Sequence, residues 1–345
     1  MIKSKLMQGL SLARSGVYFL ESLPFTLVNR YLTKADLPPP TQEQLTAAWK
    51  QIVQLHEREA QNLANHVYPA SALEIENPLR HALSFLEVLG DGFRVAWRMR
   101  SGKTKDFSSK TSDWTKELPE YYARNFHFQT DGYLSEASAR RYDHQVEILF
   151  TGAAGAMRRL ILPPLKRNTS GSGRWLELGC GSGSATRAVL ETFPKVHITG
   201  VDLSAPYLKV AQSHLRAYDR VDFLRGDVTR LDFRDETFDA VFSVYLLHEL
   251  PRREREQVLR EAYRVLRPGG TLVFADSLQM DEEPELNWAL ERFPRVYHEP
   301  FYKDYLGDRL EDLMARVTGG KVKSDHAFFT KVVWARKPES PPTDA

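Results

Sequence analysis

Short apolar runs alternate with helical patterns through the second half of the chain. Runs of this length, bounded by turn residues, indicate buried strands, and strands that alternate with helices favour a parallel sheet covered on both faces. We therefore predict an α/β fold for this half, with a last strand at 327–335. The runs that precede it span residues 175–178, 197–202, 221–228, 237–245 and 271–276.

The first half of the chain has helical periodicity instead. Thr41 and Gln44 form a capping-box pattern, after which apolar residues recur at helical spacing. Further helices are expected at 78–89 and 135–165. This half is therefore predicted to be mainly helical.

The segment 15–29 has the composition of an amphipathic helix. It contains Glu21 and Pro24 and is too short to span a bilayer. We expect its apolar side chains to pack on the protein's own core, with peripheral membrane contact as the alternative. Those side chains are Val17, Phe19, Leu20, Leu23, Phe25 and Leu27.

A polar stretch rich in Gly and Ser, residues 166–173, separates the two patterns. We interpret it as a linker between a mainly helical domain at 1–165 and an α/β domain at 174–337 that folds on its own, followed by a flexible tail at 338–345. A length of 345 residues suits two domains better than one.

Charge and cysteine content narrow the class of protein. A net charge of +2 argues against a dominant nucleic-acid surface, because phosphate binding needs clustered Lys and Arg. The basic run from Arg94 to Lys110 is read as a solvated loop, with RNA or anionic lipid as alternative partners. Cys180 is the sole cysteine, so no intramolecular disulfide forms, which fits a cytoplasmic location.

The first strand of the α/β half ends in alternating glycines, Gly179, Gly181 and Gly183, with Glu177 two residues before them. Glycines let the backbone turn sharply close to a ligand, and the helix that follows offers free N–H groups. The spacing does not match the dinucleotide fingerprint G-x-G-x-x-G. A carboxylate at this place suits a cationic amine better than two phosphates.

Acids follow the next two strands. Asp202 ends the second strand about 20 residues after the glycine turn, where such folds hydrogen-bond ribose hydroxyls, although NAD would use it equally well. Asp227 ends the third strand within a Gly-Asp pair. Further along, the sequence Arg-Val-Leu-Arg-Pro-Gly-Gly at 264–270 ends a helix before the fifth strand.

Taken in order, these motifs resemble the class I S-adenosylmethionine-dependent methyltransferases, in the subgroup related to ubiquinone methyltransferases. The resemblance covers 173–337 and implies a Rossmann-like, seven-stranded doubly wound sheet. It implies methyl transfer from S-adenosyl-L-methionine, with S-adenosyl-L-homocysteine as product, to O, C, N or S of a small aromatic or apolar acceptor. It assigns the cofactor to Glu177, Gly179, Gly181, Gly183, Asp202, Leu203, Asp227, Val228 and Tyr245.

A hydroxyl or acidic carbon as methyl acceptor would require a general base. His248 follows the fourth strand, where parallel sheets bind ligands, and Glu249 could orient it; packing of the next helix is the alternative role. His127 and His298 are the other candidates. The segments 121–133 and 293–302 are rich in aromatic residues and are expected to cover the pocket.

Missing motifs restrict the acceptor further. No Asn-Pro-Pro-Tyr or Asp-Pro-Pro-Tyr follows the fourth strand, no second cysteine is present, and no metal-ligand triplet is recognisable, so we expect no metal. An RNA or protein methyltransferase that uses the basic run stays open as an alternative. A non-catalytic cofactor-binding protein whose helical half serves assembly is the third hypothesis.

Overall fold

A computed structural model describes residues 2–32, 38–73, 77–108, 111 and 114–339. The predicted tail beyond Glu339 lies outside the described residues, as does Lys110 of the basic run.

The α/β half forms one seven-stranded sheet with the order β3-β2-β1-β4-β5-β7-β6. The first five strands pair in parallel, and β7 runs antiparallel to β5 and β6. This arrangement confirms the predicted Rossmann-like fold. The strands are β1 Ser172–Leu178, β2 Lys195–Asp202, β3 Val221–Arg225, β4 Phe238–Val244, β5 Leu266–Ser277, β6 Val322–Ala327 and β7 Thr330–Arg336.

Helices precede and surround this sheet. The N-terminal helices are α1 Ile2–Leu32, α2 Gln42–Ala64, α3 Pro78–Ser101, α4 Glu136–Leu149, α5 Ala154–Arg158 and α6 Leu162–Asn168. The helices of the α/β half are α7 Ser184–Thr192, α8 Ala205–His214, α9 Arg252–Val265, α10 Asn287–Val296, α11 Tyr302–Gly307 and α12 Leu310–Thr318. Within the part of the chain that the structure describes, none of the helices combines the length and hydrophobicity that a bilayer crossing needs.

The N-terminal helices agree with the sequence pattern in type and differ from it in length. The capping box of Thr41 and Gln44 is present at the start of α2. The helix expected at 78–89 continues to Ser101. The helix expected at 135–165 is broken after Leu149, because Thr151 and Gly152 both have positive φ values.

The predicted linker lies mostly within regular structure. Its first three residues complete α6, and Ser172 and Gly173 already belong to β1, so the connection narrows to residues 169–171. Ile52 and Leu55 of α2 and Leu162 and Leu165 of α6 share one continuous buried cluster with the strands. The helical half therefore packs directly on the sheet.

The expectation that the apolar residues of α1 pack on the core is wrong. Val17, Phe19, Leu20, Leu23 and Leu27 are all exposed, and of the predicted set only Phe25 turns inward. The reason lies in the opposite face of α1, which carries polar residues that pair with side chains of α2, α3 and α4. The Arg14 guanidinium lies 2.9 Å from a carboxylate oxygen of Glu147, and the Ser15 hydroxyl lies 2.9 Å from His56 Nε2. The Glu21 carboxylate lies 2.8 Å from His81 Nε2 and 3.1 Å from His144 Nε2.

Candidate active site

The glycine turn connects β1 to α7 through three residues with positive φ: Gly179 at 68°, Gly181 at 52° and Gly183 at 85°. L side chains rarely adopt this conformation, which explains the choice of glycine. Asp202 holds the turn from the end of β2. Its carboxylate accepts hydrogen bonds from the Gly181 and Ser204 N–H groups, each at 2.8 Å.

Glu177 lies beside this turn and is 1% exposed. Its carboxyl accepts a hydrogen bond from the Thr186 hydroxyl, and no ion pair to Glu177 exists among the described residues. Burial raises the pKa of Glu177 to about 8. A buried acid without a cation is the arrangement that a positively charged ligand would complete.

A cavity opens next to Glu177 and the glycine turn; we call it the glycine-turn cavity. Five tyrosines form part of its wall, among them Tyr122 and Tyr133 of the segment expected to cover the pocket. The ring centroid of Tyr133 lies 5.8 Å from that of Tyr142 and 5.4 Å from that of Tyr207. Aromatic rings attract cations, which suits the same kind of ligand as Glu177.

Arg158 brings a positive charge to the same cavity. Its guanidinium lies 3.1 Å from Asp143, which also accepts a hydrogen bond from Ser182 at 2.7 Å. The cavity therefore offers a cation as well as buried acids, which matches a ligand with an amine and a carboxylate.

Not all of the residues assigned to the cofactor line this cavity. Tyr245 does, together with Glu177, the first two glycines and Asp202. Gly183 does not line the cavity and is the N-cap residue of α7. Asp227 accepts a hydrogen bond from the Thr229 N–H at 2.8 Å, Val228 is buried in the core, and the Leu203 carbonyl accepts from Arg225 at 3.3 Å.

His248 lies in a short turn after β4 and is 7% exposed. Its Nδ1 is 2.6 Å from Asp276 Oδ1 at the end of β5, and the second oxygen of Asp276 accepts from the Leu247 N–H at 2.6 Å. Burial by itself lowers the pKa of His248, but the charge of Asp276, with Glu249 and Glu299, raises it to about 9. The orienting carboxylate is therefore Asp276, while Glu249 lies 3.9 Å from Nε2.

Further ionisable groups surround His248. His127 forms an ion pair with the buried Glu299, and although burial lowers the pKa of His127, that carboxylate raises it above the ordinary value. Burial raises the pKa of Glu249, whose carboxyl accepts a hydrogen bond from the Tyr133 hydroxyl. His248 and His127 thus lie in one network of acids and imidazoles.

A second cavity of about 880 Å³, its open mouth included, lies against His248; we call it the His248 cavity. Its wall is mostly apolar and also contains His127. Tyr142, Tyr245 and Glu249 line both this cavity and the glycine-turn cavity, so the two are adjacent. The apolar wall residues are Val146, Leu149, Phe150, Ala289, Leu290, Phe293 and Phe329.

His298 lies apart from this pair of histidines. Its ring packs against Phe128 at a centroid distance of 5.7 Å and does not line the His248 cavity. Burial and the charge of Arg124 lower the pKa of His298. Its backbone carbonyl accepts a hydrogen bond from the His127 N–H at 3.4 Å.

The sequence indicates the histidines of the site but not the carboxylates that pair with them. The sequence pattern indicates no role for Asp276, the last residue of the run 271–276, beside His248, and it does not indicate the pairing of Glu299 with His127. Adjacency of β4 and β5, which the order of the motifs implies, is the signal that could have paired Asp276 with His248.

The sheet order, the glycine turn and the buried acid together define the class, a class I methyltransferase that uses S-adenosylmethionine. A family model described as "Methyltransferase domain" matches residues 176–270. The chain is 31% identical over 179 residues to the demethylmenaquinone methyltransferase of Lactiplantibacillus plantarum. The aligned segment covers 50% of this chain and 74% of that protein. The chain belongs to this methyltransferase family.

Two further comparisons show how far the likeness extends. The ubiquinone/menaquinone biosynthesis C-methyltransferase of Desulfotalea psychrophila is 33% identical over 144 residues, and the chain spans 56% of its length. Among solved structures, an arsenic(III) S-adenosylmethionine methyltransferase from Chlamydomonas reinhardtii is 24% identical, with a TM-score of 0.38 and coverage of 54% of this chain and 74% of that one.

Proposed function

We propose that this enzyme methylates a small apolar or aromatic acceptor held in the His248 cavity, and that His248 is the acid–base group. The observation that carries this proposal is the position of His248, which lies between an apolar cavity and Asp276, with the glycine-turn cavity next to it.

The residues of the glycine-turn cavity fit S-adenosylmethionine. Buried Glu177 would hold its ammonium, Arg158 its carboxylate and Asp202 its ribose hydroxyls, and the tyrosines of the wall would favour its positively charged sulfonium. When bound, this cofactor supplies a methyl group on an excellent leaving group. The protein then mainly has to align the acceptor and exclude water.

His248 is suited to take a proton from the acceptor. Asp276 holds Nδ1 and stabilises the imidazolium, as the third member of a catalytic triad does. With a pKa of about 9, the ring carries a proton at neutral pH before ligands bind. A cationic ligand in the adjacent cavity lowers this pKa, because like charges repel, and so favours the neutral ring that accepts a proton.

The nature of the acceptor follows from the wall of the cavity. Phe150, Phe293 and Phe329 favour a flat or apolar molecule. The small-molecule relatives support the same class, since their names refer to menaquinone, ubiquinone and rifamycin compounds.

The basic run supports the RNA alternative less well than the sequence indicates. Arg98 is 4% exposed and donates to the Phe128 carbonyl at 2.8 Å, and Lys105 lies 3.4 Å from Glu120. Both residues are therefore engaged within the protein.

Labelled methyl transfer tests the acceptor class. The enzyme is incubated with methyl-labelled S-adenosylmethionine and a cell extract separated into organic-soluble metabolites, RNA and protein. We expect label in the organic-soluble fraction. Label confined to RNA or protein contradicts the proposal, and so does an absence of transfer by enzyme that binds the cofactor.

A further inference from the structure

The outward face of α1 is apolar along its described side chains. Leu6, Leu10, Val17, Leu20 and Leu27 are 47–64% exposed and recur at spacings that place them on one side of the helix. The acid of this segment, Glu21, points inward to His81 and His144. A surface helix of a globular protein normally has the opposite polarity.

Helix α3 repeats this feature. Leu79, Leu83, Leu86, Phe93 and Trp97 lie on one stripe, because they are separated by three, four or seven residues, and they are 51–71% exposed. α1 packs along α3, with the Phe25 ring against Gly92. Two neighbouring helices thus each expose an apolar stripe, and we call these two stripes together the docking face; it consists of these five residues and the five of α1.

Positive charges border the docking face. Arg80, Arg94 and Arg100 are exposed on α3, and the Lys103 ammonium lies 4.4 Å from the centre of the Trp97 ring. Glu87 is the exposed acid among the described side chains of this helix. Apolar residues flanked by Arg and Lys are the pattern of helices that lie in the surface of an anionic membrane.

We propose that the docking face binds the surface of an anionic phospholipid membrane, with α1 and α3 parallel to the bilayer plane. A second copy of the chain fits this face less well, because a symmetric pairing would bring the arginines of one α3 towards those of the other. An anionic lipid surface instead accepts the apolar stripe and the bordering cations together.

The interior behind the docking face links it to the candidate active site. A cavity of about 750 Å³, open mouth included, is lined by Phe25 of α1 and by Val88, Val95 and Met99 of α3. It shares three wall residues, His127, Val146 and Leu149, with the His248 cavity. Resting on the proposed function, we infer that an acceptor with an apolar tail passes from the membrane between α1 and α3 to His248.

Vesicle flotation with the full chain tests the docking face. Vesicles of phosphatidylcholine are compared with vesicles that also contain phosphatidylglycerol, at low and high salt. We expect binding to the anionic vesicles that weakens with salt. An Arg80→Gln/Arg94→Gln variant should bind them roughly fivefold less tightly per arginine.

Apolar variants provide the sharper test. Leu83→Gln/Phe93→Gln should lose vesicle binding and keep cofactor binding by titration calorimetry, which shows that the site is intact. Leu224→Gln is the matched control, because Leu224 is 46% exposed on β3, an edge strand of the sheet, and is not part of the docking face. This control should bind vesicles like the parent.

Three results would overturn the proposal. The first is unchanged vesicle binding by Leu83→Gln/Phe93→Gln, and the second is no binding of anionic vesicles by the parent. The third is a parent that forms a dimer in light scattering, which these substitutions dissociate, and that does not bind vesicles. Failure of the docking face and failure of the proposed function give different results. Methyl transfer without vesicle binding contradicts only the docking face and the route through it. Vesicle binding without methyl transfer contradicts the proposed function, and with it the route of the acceptor, but not the docking face.

Discussion

At the scale of single residues, the protonation state of Glu177 is the property of the site that cofactor binding should change most directly. Its pKa of about 8 means that the carboxyl is mostly protonated at pH 7, and a bound cation favours the ionised form. We therefore predict that S-adenosylmethionine binding at pH 7 releases the larger part of one proton, and that affinity increases as pH rises towards 8.

Calorimetry in buffers of different ionisation enthalpy measures this proton release. Glu177→Gln should bind weakly and release fewer protons than the parent, with only the contribution of His248 left, whereas Glu57→Gln, on the exposed surface of α2, should behave like the parent. Proton release in Glu177→Gln equal to that of the parent would show that Glu177 does not ionise on binding.

Asp276 is a positioning residue for His248, and its charge raises the pKa of that ring. Asp276→Asn should therefore shift the pH dependence of kcat to lower pH, since burial then dominates, and should lower kcat by less than the 10²–10⁴ expected when the ring is removed. Steady-state kinetics across pH measure both effects. Asp312→Asn, exposed on α12, is the control, and an unshifted profile in Asp276→Asn would refute the role.

The sequence was informative about His248 and silent about its partner for a physical reason. His248 follows an apolar strand directly, so local pattern places it at the ligand edge of the sheet. Its contact with Asp276 spans 28 residues and depends on which strands are neighbours. The ordinary His pKa of about 6.5 was the natural expectation, and the buried carboxylates of Asp276, Glu249 and Glu299 raise it.

At the scale of elements, the turn between β1 and α7 depends on glycine geometry. A Cβ on Gly183, where φ is 85°, would lie 3.0 Å from Leu215 and 3.3 Å from Ala211. Gly183→Ala should cost about 1–2 kcal/mol of unfolding free energy from the left-handed backbone alone, and should weaken cofactor binding.

Denaturant unfolding and cofactor titration check this prediction. Gly90→Ala is the matched control, because a Cβ there meets no atom within 4 Å and the residue lies within α3. It should gain about 0.5–1 kcal/mol of stability. Equal effects of the two substitutions would show that the turn does not require glycine.

Six of the seven strands were predictable because each contains a local apolar run. The sequence did not predict β6, whose residues are mostly polar, or the orientation of α1. Its inward face is selected by partners far along the chain, such as Glu147, which lies 133 residues from Arg14. The full length of α3 was missed for a similar reason, since Gly90 and Gly92 look like a helix end. The Phe25 ring packs on Gly92, where a side chain would collide with it.

At the scale of the whole molecule, the helical half and the sheet share one buried cluster. Sequence pattern favours an α/β domain that folds alone, but Leu160, Leu162 and Leu165 are fully or nearly buried against it. We predict that a chain beginning at Thr169 unfolds at markedly lower temperature or aggregates, because it exposes these contacts to water.

Thermal denaturation followed by circular dichroism, with cofactor titration, measures this outcome for residues 169–345 beside the full chain. A cooperative transition at the temperature of the full chain, with equal cofactor affinity, would show that the α/β half is an independent domain after all.

The central claim is that His248 exchanges a proton with the acceptor in an enzyme that transfers methyl groups. The pH dependence of single-turnover methyl transfer tests it most directly, in the parent, in His248→Ala and in His214→Ala, whose histidine is exposed on α8. The parent and His214→Ala should gain rate with rising pH through a group between about 6.5 and about 9. His248→Ala should lose roughly 10²–10⁴ in rate, together with that pH dependence, and keep its cofactor affinity. An unaltered pH profile in folded His248→Ala would contradict the claim.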